Sequence, residues 1–513
     1  MEARAGGLHP LEGGDKIRAA IQQGERSGWV GGLGLAKGFW PFAGSFRRGH
    51  RPEGPRRLAR SLFYSTAEGA LAAASENFAI NYVPLFAVAA GASALHVSLL
   101  TAIPNLLANA LQIPFGRMAE RKGRNKPLWL LGNSVVRWVW LPMALLPWLI
   151  HDRQQLILAL LLLTGLRGIG MAVAIPAWTA LMADLTHRSW RGSYFGLRNL
   201  LANGVALAAS VVAGFLIEAM GYPEGYALAF GAAWLVGLAS LVAILPIHEP
   251  RHRSAGASAG RPRTGAVPEG TAPTPEQPAR RTRFGSDWLV GGPAQWRREA
   301  PGFYEYAVSA FLWTAAVNLP AALFAVHFTE VLHGTPELWG IANGATFLTT
   351  ILGQRQWGRL CDRVGQRPVM IWSGIGAALL PLWWAVIPSP AWVVAINLVG
   401  GIAWAGYNLA AFNLVLEVTP DSRRPSYVAV FNLGVGIAAS AAPILGGLMA
   451  EWMGTGPVMA ISSLLRLGAL ALFAHWSGMR WRRVAWGRRR PRGMSVPMGQ
   501  DATSRQVRGQ PRP

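Results

Sequence analysis

The chain has 513 residues, of which 51% are hydrophobic and only 14% charged. A soluble protein carries about 25% charged residues, so a soluble globular domain is excluded as the main architecture. Its 48 Lys and Arg against 25 Asp and Glu give a formal net charge of +23, and where that excess falls decides between a nucleic-acid partner and a membrane.

Residues 1–61 are polar, Gly-rich and basic, ending in "FRRGHRPEGPRRLAR". They predict a cytoplasmic tail with no cleavable signal peptide. A bilayer-crossing helix needs roughly 20 mostly apolar residues. Within residues 62–247 six such runs follow, at Ala67–Ala90, Leu95–Phe115, Pro127–Ile150, Leu156–Met182, Phe195–Ala219 and Tyr226–Ile247. Residues 248–300 are rich in Pro, Gly, Ala and Arg and predict a flexible cytoplasmic linker, whose last part, "GSDWLVGGPAQW", suits the membrane surface. Six further runs lie within residues 301–479, at Phe303–His327, Trp339–Trp357, Pro368–Ile387, Trp392–Leu414, Val428–Ala450 and Pro457–Met479. Residues 480–513 close the chain as a second basic tail, where "RWRRVAWGRRRPRG" interleaves Arg with Trp in the manner of an anchor to anionic lipid.

The charges follow this division. The connections after spans 1, 3, 5, 7, 9 and 11 carry one basic residue, Arg153, and the basic residues otherwise crowd the tails and the connections after even-numbered spans. By the positive-inside rule both termini are cytoplasmic, in a multi-pass protein of the cell membrane. The basic charge is then explained without nucleic acid. The single cysteine, Cys361, excludes an intrachain disulfide and reads as a small filler.

Ionisable groups within a span are costly and point to function. Glu76 lies about ten residues, hence about 15 Å, into span 1, and Arg137 and Arg167 fall near the same depth in spans 3 and 4. Three charges at one level predict mutual pairing. A carboxylate moved between apolar and cationic surroundings by rocking helices takes up and releases a proton once per cycle. Arg167, permanently charged, serves as its counter-charge or as the anchor of an anionic substrate. Asn77 and Asn81 in span 1, Trp178 in span 4, Asn318 in span 7, and Asn408 and Asn413 in span 10 complete the candidate site for proton and substrate. Arg466 in span 12 reads as structural or as reaching for the interface.

The halves repeat each other. "GRMAERKGRNKP" from Gly116 returns as "GRLCDRVGQRPV" from Gly358, 242 positions later, with Gln112 matching Gln354 at the same spacing. "RGSYFGLRN" from Arg191 returns as "RPSYVAVFN" from Arg424 at a spacing of 233, which also pairs Gly214, Glu218 and Gly221 with Gly447, Glu451 and Gly454. Two six-span halves in one orientation form the parallel repeat of secondary transporters.

These stretches resemble the major facilitator superfamily over about residues 62 to 480. The loop between that family's second and third helices reads Gly-x-x-x-Asp-Arg-x-Gly-Arg-Arg/Lys. Gly116, Glu120, Arg121, Gly123 and Arg124 fit it with Glu for Asp; Gly358, Asp362, Arg363 and Gly365 fit it again, with Gln366 in place of the next Arg. The resemblance implies a cytoplasmic gate: Glu120 facing the start of span 11 near Arg424 and Tyr427, Asp362 facing the start of span 5 near Arg191 and Tyr194. It also implies that spans 1, 4, 7 and 10 line the cavity, which favours Glu76 and Arg167 and leaves Arg137, on the usually peripheral span 3, less central. Leu163 and Arg167 fit a Leu-x-x-x-Arg pattern of proton-coupled members, although Met171 stands where a glycine is expected. The Gly-Pro-x-x-Gly-Gly pattern of the family's exporters is missing from span 5; Pro443, Gly446 and Gly447 in span 11 resemble it and suit close helix packing.

The expectation is an all-α membrane protein of twelve transmembrane helices in two pseudo-symmetric six-helix bundles. It would move a small organic solute by alternating access, coupled to protons, with efflux as one direction, as a monomer without cofactor or metal. The alternatives are a transport-inactive sensor of the same fold and a membrane-embedded enzyme, for which no H-E-x-x-H, C-x-x-C or phosphate-binding loop is present. Substrate identity and charge stay open.

Overall fold

A computed structural model describes residues 55–122, 124–186, 191–249, 293–300, 302–420 and 424–477. Every described element is helical. Span 1 is Pro55–Ala79 continued by Val83–Ala89, span 2 Ala94–Lys122, span 3 Lys126–Trp138 continued by Trp140–Leu149, span 4 Arg153–Leu185, span 5 Arg191–Met220 and span 6 Glu224–Ile244. A short helix, Pro293–Glu299, precedes span 7, which runs Phe303–Asn318, Leu323–Val326 and a π-helical turn, His327–Val331. Span 8 is Pro336–Val364, span 9 Gln366–Val386, span 10 Trp392–Val418, span 11 Arg424–Met453 and span 12 Thr455–Trp476.

Ten of these are long and apolar enough to cross a membrane. Span 1 is interrupted at residues 80–82 and carries Glu68 and Glu76; span 8 spends its length on Asn343, Thr346, Thr349, Thr350 and Gln354. Large apolar side chains such as Leu162, Leu235 and Leu464 are exposed on the bundle, a surface that acyl chains cover without the cost water would impose.

The first spans of both halves break at matching places, span 1 after Ala79 just before Pro84 and span 7 after Asn318 at Pro320. Proline removes a backbone donor and disfavours helix in the residue before it. Equivalent caps also recur. Lys126 Nζ at the start of span 3 donates to the carbonyls of Leu245 and Ile247 at the end of span 6 (2.7 Å each). Arg367 at the start of span 9 donates to the Ser477 carbonyl beyond span 12 (3.4 Å). Part of the positive charge on that face therefore caps helix ends.

The repeated charged stretches are not loops. Gly116 to Arg121 lie in the last turns of span 2, and Gly358 to Arg363 in those of span 8. The turn is made at Gly365, whose φ of +89° only glycine adopts without strain. Helix continues because these positions still pack on a neighbour, Gly116 near Pro176 of span 4 and Gly358 near Leu409 of span 10.

The halves meet through span 2 against span 11 and span 5 against span 8. On the face away from the basic connections their cores fuse: Ala322, Ala325 and Val326 of span 7 belong to the apolar core of the first half. Ser93, before span 2, donates to Glu451 at the end of span 11 (2.6 Å), and Trp339 of span 8 donates to the carbonyl of Asn81 (2.9 Å). Toward the basic face the cores separate, one built from residues of the first half and two from residues of the second.

Candidate functional site

Span 1 is helical through Glu76 and breaks four residues later, which fixes the carboxylate beside spans 3, 4 and 6. Arg137 Nη1 donates to Glu76 Oε1 at 2.8 Å, and Arg167 Nη2 to Glu76 Oε2 at 2.5 Å. One carboxylate between two guanidiniums leaves this layer with a net charge of +1. Arg137 is 4% exposed, Arg167 13% and Glu76 20%, so Arg137 closes the back of the group while Arg167 and Glu76 border open space. Arg137 also reaches Ser75 Oγ (3.5 Å), whose own hydroxyl donates to the Ala233 carbonyl of span 6 (2.7 Å). Gly237 lets it through: a side chain there would meet Arg137 Cδ at 2.8 Å. The Arg167 guanidinium lies 5.6 Å over the ring of Trp140, a favourable placement for a desolvated cation.

The remaining candidates do not join this group. Asn77 donates to the Ala73 carbonyl (2.8 Å) and Asn81 to Asn77 Oδ1 (3.0 Å), forming a ladder that leads to the seam with Trp339. Asn318 bonds the Thr314 carbonyl of its own helix (2.8 Å) and Asn413 bonds Gln366 Oε1 (3.3 Å); Asn408 is exposed. Trp178 belongs to a second ion pair. Arg198 of span 5 donates to Glu68 of span 1 (3.1 Å) and to the Ser65 carbonyl (3.3 Å), and its guanidinium stacks 5.0 Å over Trp178. Sequence position alone does not mark this pair as a site, because Glu68 and Arg198 stand at the very starts of the apolar runs that begin at Ala67 and Phe195. The presence of Arg198 inside the predicted span 5 was the available signal.

Of the gate residues, the side chains of Glu120, Arg121 and Arg424, and the whole of Gly123, lie outside the described residues. Arg124, Asp362 and Arg363 are exposed. Arg191 caps the end of span 4, donating to the carbonyls of Ala183 and Thr186 (2.9 Å each). Tyr194 is buried and donates to the Leu62 carbonyl (3.4 Å). Tyr427 is buried edge-on against Phe303 (4.8 Å) and donates to Glu299 (3.1 Å), tying the start of span 11 to the helix that precedes span 7. Arg466 does not reach an interface: it is buried and donates to the carbonyls of Ala377 (2.9 Å) and Val317 (3.3 Å). Gly446 and Gly447 make close approaches, Gly446 to the Leu319 carbonyl at the break of span 7 and Gly447 to Leu95 and Ser98 of span 2. Among the described residues no group of three or more His, Cys, Asp or Glu is placed to hold a metal.

A sequence profile of the Major Facilitator Superfamily matches residues 69–296 and 306–504. The chain is 25% identical over 164 residues to the multi-drug resistance efflux pump PmrA of Streptococcus pneumoniae, covering 31% of this chain and 41% of PmrA. It is 24% identical over 177 residues to the multidrug resistance protein MdtG of Dickeya zeae, covering 34% of this chain and 42% of MdtG. The match thus spans about two-fifths of these curated relatives. Among solved structures, a bacterial homologue of the iron transporter ferroportin superposes with a TM-score of 0.60 at 14% identity, over 83% of this chain and 100% of that one. The nucleoside transporter NupG does so with a TM-score of 0.58 at 13% identity, over 82% and 99%. Twelve helical passes in two related halves, a profile matched across both and neighbours of the same fold lead to one assignment: this chain belongs to the major facilitator superfamily.

Proposed function

We propose that the chain moves a small organic solute across the cell membrane by alternating access, as a monomer with both termini in the cytoplasm, and that Glu76 couples this movement to protons. The observation that carries the proposal is the Glu76 group itself. Glu76 lies deep within span 1, and both of its oxygens are held by guanidiniums from two other helices. To take a proton it has to give up at least one of them, and relative movement of spans 1, 3 and 4 supplies that change. The fused core on one face and the separated cores on the other suit a carrier open toward its basic, cytoplasmic side.

The test uses the full chain in proteoliposomes with an imposed pH gradient and a panel of organic solutes. Gradient-driven accumulation by the wild type and its loss in Glu76→Gln, with solute exchange at equal pH retained, is the expected result. Accumulation unchanged in Glu76→Gln overturns the coupling. Export is a second reading, supported by the names of PmrA and MdtG; the sign of solute-dependent proton movement distinguishes it.

A further inference from the structure

We infer that the solute carries an anionic group, a carboxylate or similar oxyanion, and that Arg167 is the residue that binds it, in competition with Glu76. The inference rests on the transporter reading above and names the substrate class of that same site. It starts from an imbalance of donors. Two guanidiniums bring ten N–H groups to one carboxylate and one serine hydroxyl. Arg137 Nε, Arg167 Nε and Trp140 Nε1 are all buried and, among the described residues, donate to nothing. Trp140, fully buried, has its ring beneath the Arg167 guanidinium. A buried donor without an acceptor costs about 1–3 kcal/mol, and net positive charge at mid-bilayer adds to that cost. A site rich in donors and short of acceptors fits a ligand that supplies acceptors and negative charge.

The same protein holds its other intramembrane arginines differently. Arg198 is matched one to one by Glu68, and its Nε donates to the Ser65 carbonyl. Arg466 has no carboxylate and an equally unpartnered Nε among the described residues, but it is 2% exposed, sealed from any solute, and spends two nitrogens on backbone carbonyls. Arg167 has one partner, Glu76, and borders open space, whereas Arg137 is sealed behind it. The planar guanidinium presents a fork that matches an oxyanion with two bonds at once. A cationic solute fits less well, because both oxygens of Glu76 are already engaged and two ion pairs would have to open.

Competition gives the inference its sign. Removing the charge of Glu76 leaves Arg167 to the anion alone, so Glu76→Gln tightens anion binding instead of abolishing it. A proton on Glu76 acts in the same sense, so anion and proton load together and cross in the same direction.

The experiment measures binding by thermal stabilisation of the purified full-length protein at constant ionic strength, with benzoate and methylphosphonate as anionic probes and tetraphenylphosphonium as the cationic one. The expected result is stabilisation by at least one anion, its loss in Arg167→Gln, and an apparent Kd at least about tenfold lower in Glu76→Gln. Should Glu76→Gln fail to fold, Glu76→Gln/Arg137→Gln restores a net charge of +1 with Arg167 alone, and it binds the anion at least as tightly as the wild type. Stabilisation by tetraphenylphosphonium that vanishes in Glu76→Gln overturns the inference. So does an anion effect that survives Arg167→Gln, or no stabilisation by either anion at 10 mM, a level about tenfold above a millimolar Kd. Failure of this inference is separable from failure of the coupling: a protein that accumulates solute on a pH gradient yet binds only the cation keeps the coupling and loses the anion.

Discussion

The two halves share their ends and differ in their middles. Both begin with a span broken at the same level, both cap the end of their sixth helix with a basic residue from the start of the third, and both bring a glycine of their fifth helix onto the second helix of the other half. At mid-depth the first half holds Glu76, Arg137 and Arg167. There the second half offers Asn318, bonded to its own helix, and Arg466, bonded to backbone. The repeat therefore specifies a scaffold and its seams, and among the described residues the mid-depth ion pairs lie in the first copy only. The scaffold and the mid-depth ion pairs are separable here, within a single chain.

The strongest way to break this asymmetry is to remove its centre. Glu76→Ala strands two guanidiniums in the membrane and is expected to destabilise by about 3–5 kcal/mol, whereas Asn318→Ala costs less than about 1 kcal/mol, since its one bond is to its own helix. Adding Arg137→Leu to Glu76→Ala recovers most of the loss, a coupling that a double-mutant cycle in detergent unfolding measures. Near-additivity of the two changes would mean that the ion pair contributes little.

The seams are the next target, and there the halves are expected to behave alike. A side chain at Gly214 would meet the Pro336 carbonyl at 2.6 Å, and one at Gly447 would meet Leu95 Cα at 2.9 Å. Valine at either position forces span 5 off span 8, or span 11 off span 2, at a cost of about 1–3 kcal/mol. On the same helices Gly204 and Gly434 have nothing within 4 Å of an added Cβ, so alanine there is neutral or, by helix propensity, stabilises by up to about 1 kcal/mol. With Cys361 replaced by Ala, a cysteine at Asn81, behind the seam, reports the opening as several-fold faster reaction with an impermeant maleimide. Unchanged labelling in the valine variants would remove these glycines from the closure.

Much of this scaffold was legible. Twelve apolar runs and the spacings of 242 and 233 carry the fold class before any coordinates, and the single Arg153 among the odd-numbered connections carries the expected orientation. Boundaries were less so. The charged stretches after Gly116 and Gly358 look like loops by composition but stay helical because their glycines face a neighbouring span. The site was partly legible. Depth alone placed Glu76, Arg137 and Arg167 at one level, but the peripheral position of span 3 hid how far an arginine reaches, since the Gly237 that admits Arg137 is visible only in three dimensions. Arg198 and Glu68 were hidden for another reason: standing at the starts of the apolar runs from Phe195 and Ala67, they resemble ordinary interfacial charges until they are seen paired over Trp178.

The two buried arginines sharpen the comparison at smaller amplitude. Arg137→Met leaves Glu76 with one partner and lowers stability. Arg466→Met removes a desolvated cation whose Nε is unpartnered and whose acceptors are helix carbonyls. Replacing such a group by an apolar one of similar volume is neutral or stabilising, here by about 1 kcal/mol. A fall of the melting midpoint in both variants, by similar amounts, would assign Arg466 a counter-charge among residues outside those described.

The smallest effect distinguishes two ends that the repeat makes equivalent. Ser93 and Thr335 stand 242 positions apart at the starts of spans 2 and 8, and Glu451 and Glu218, 233 apart, close spans 11 and 5. Ser93 donates to Glu451 at 2.6 Å across the halves, while Thr335 accepts from Leu338 N of its own helix at 3.3 Å, capping it. Glu451 is exposed, so solvent competes for it and its bond is worth about 0.5–1 kcal/mol. Glu451→Gln or Ser93→Ala should therefore raise maleimide labelling at position 81 about two- to fivefold, the factor that such an energy represents, and Glu218→Gln should leave it within error. Equal effects at both ends would show that the seams open as a symmetric pair. Unequal ones show that span 11 leaves span 2 at a higher cost than span 5 leaves span 8, so that one side of the closure gives way first.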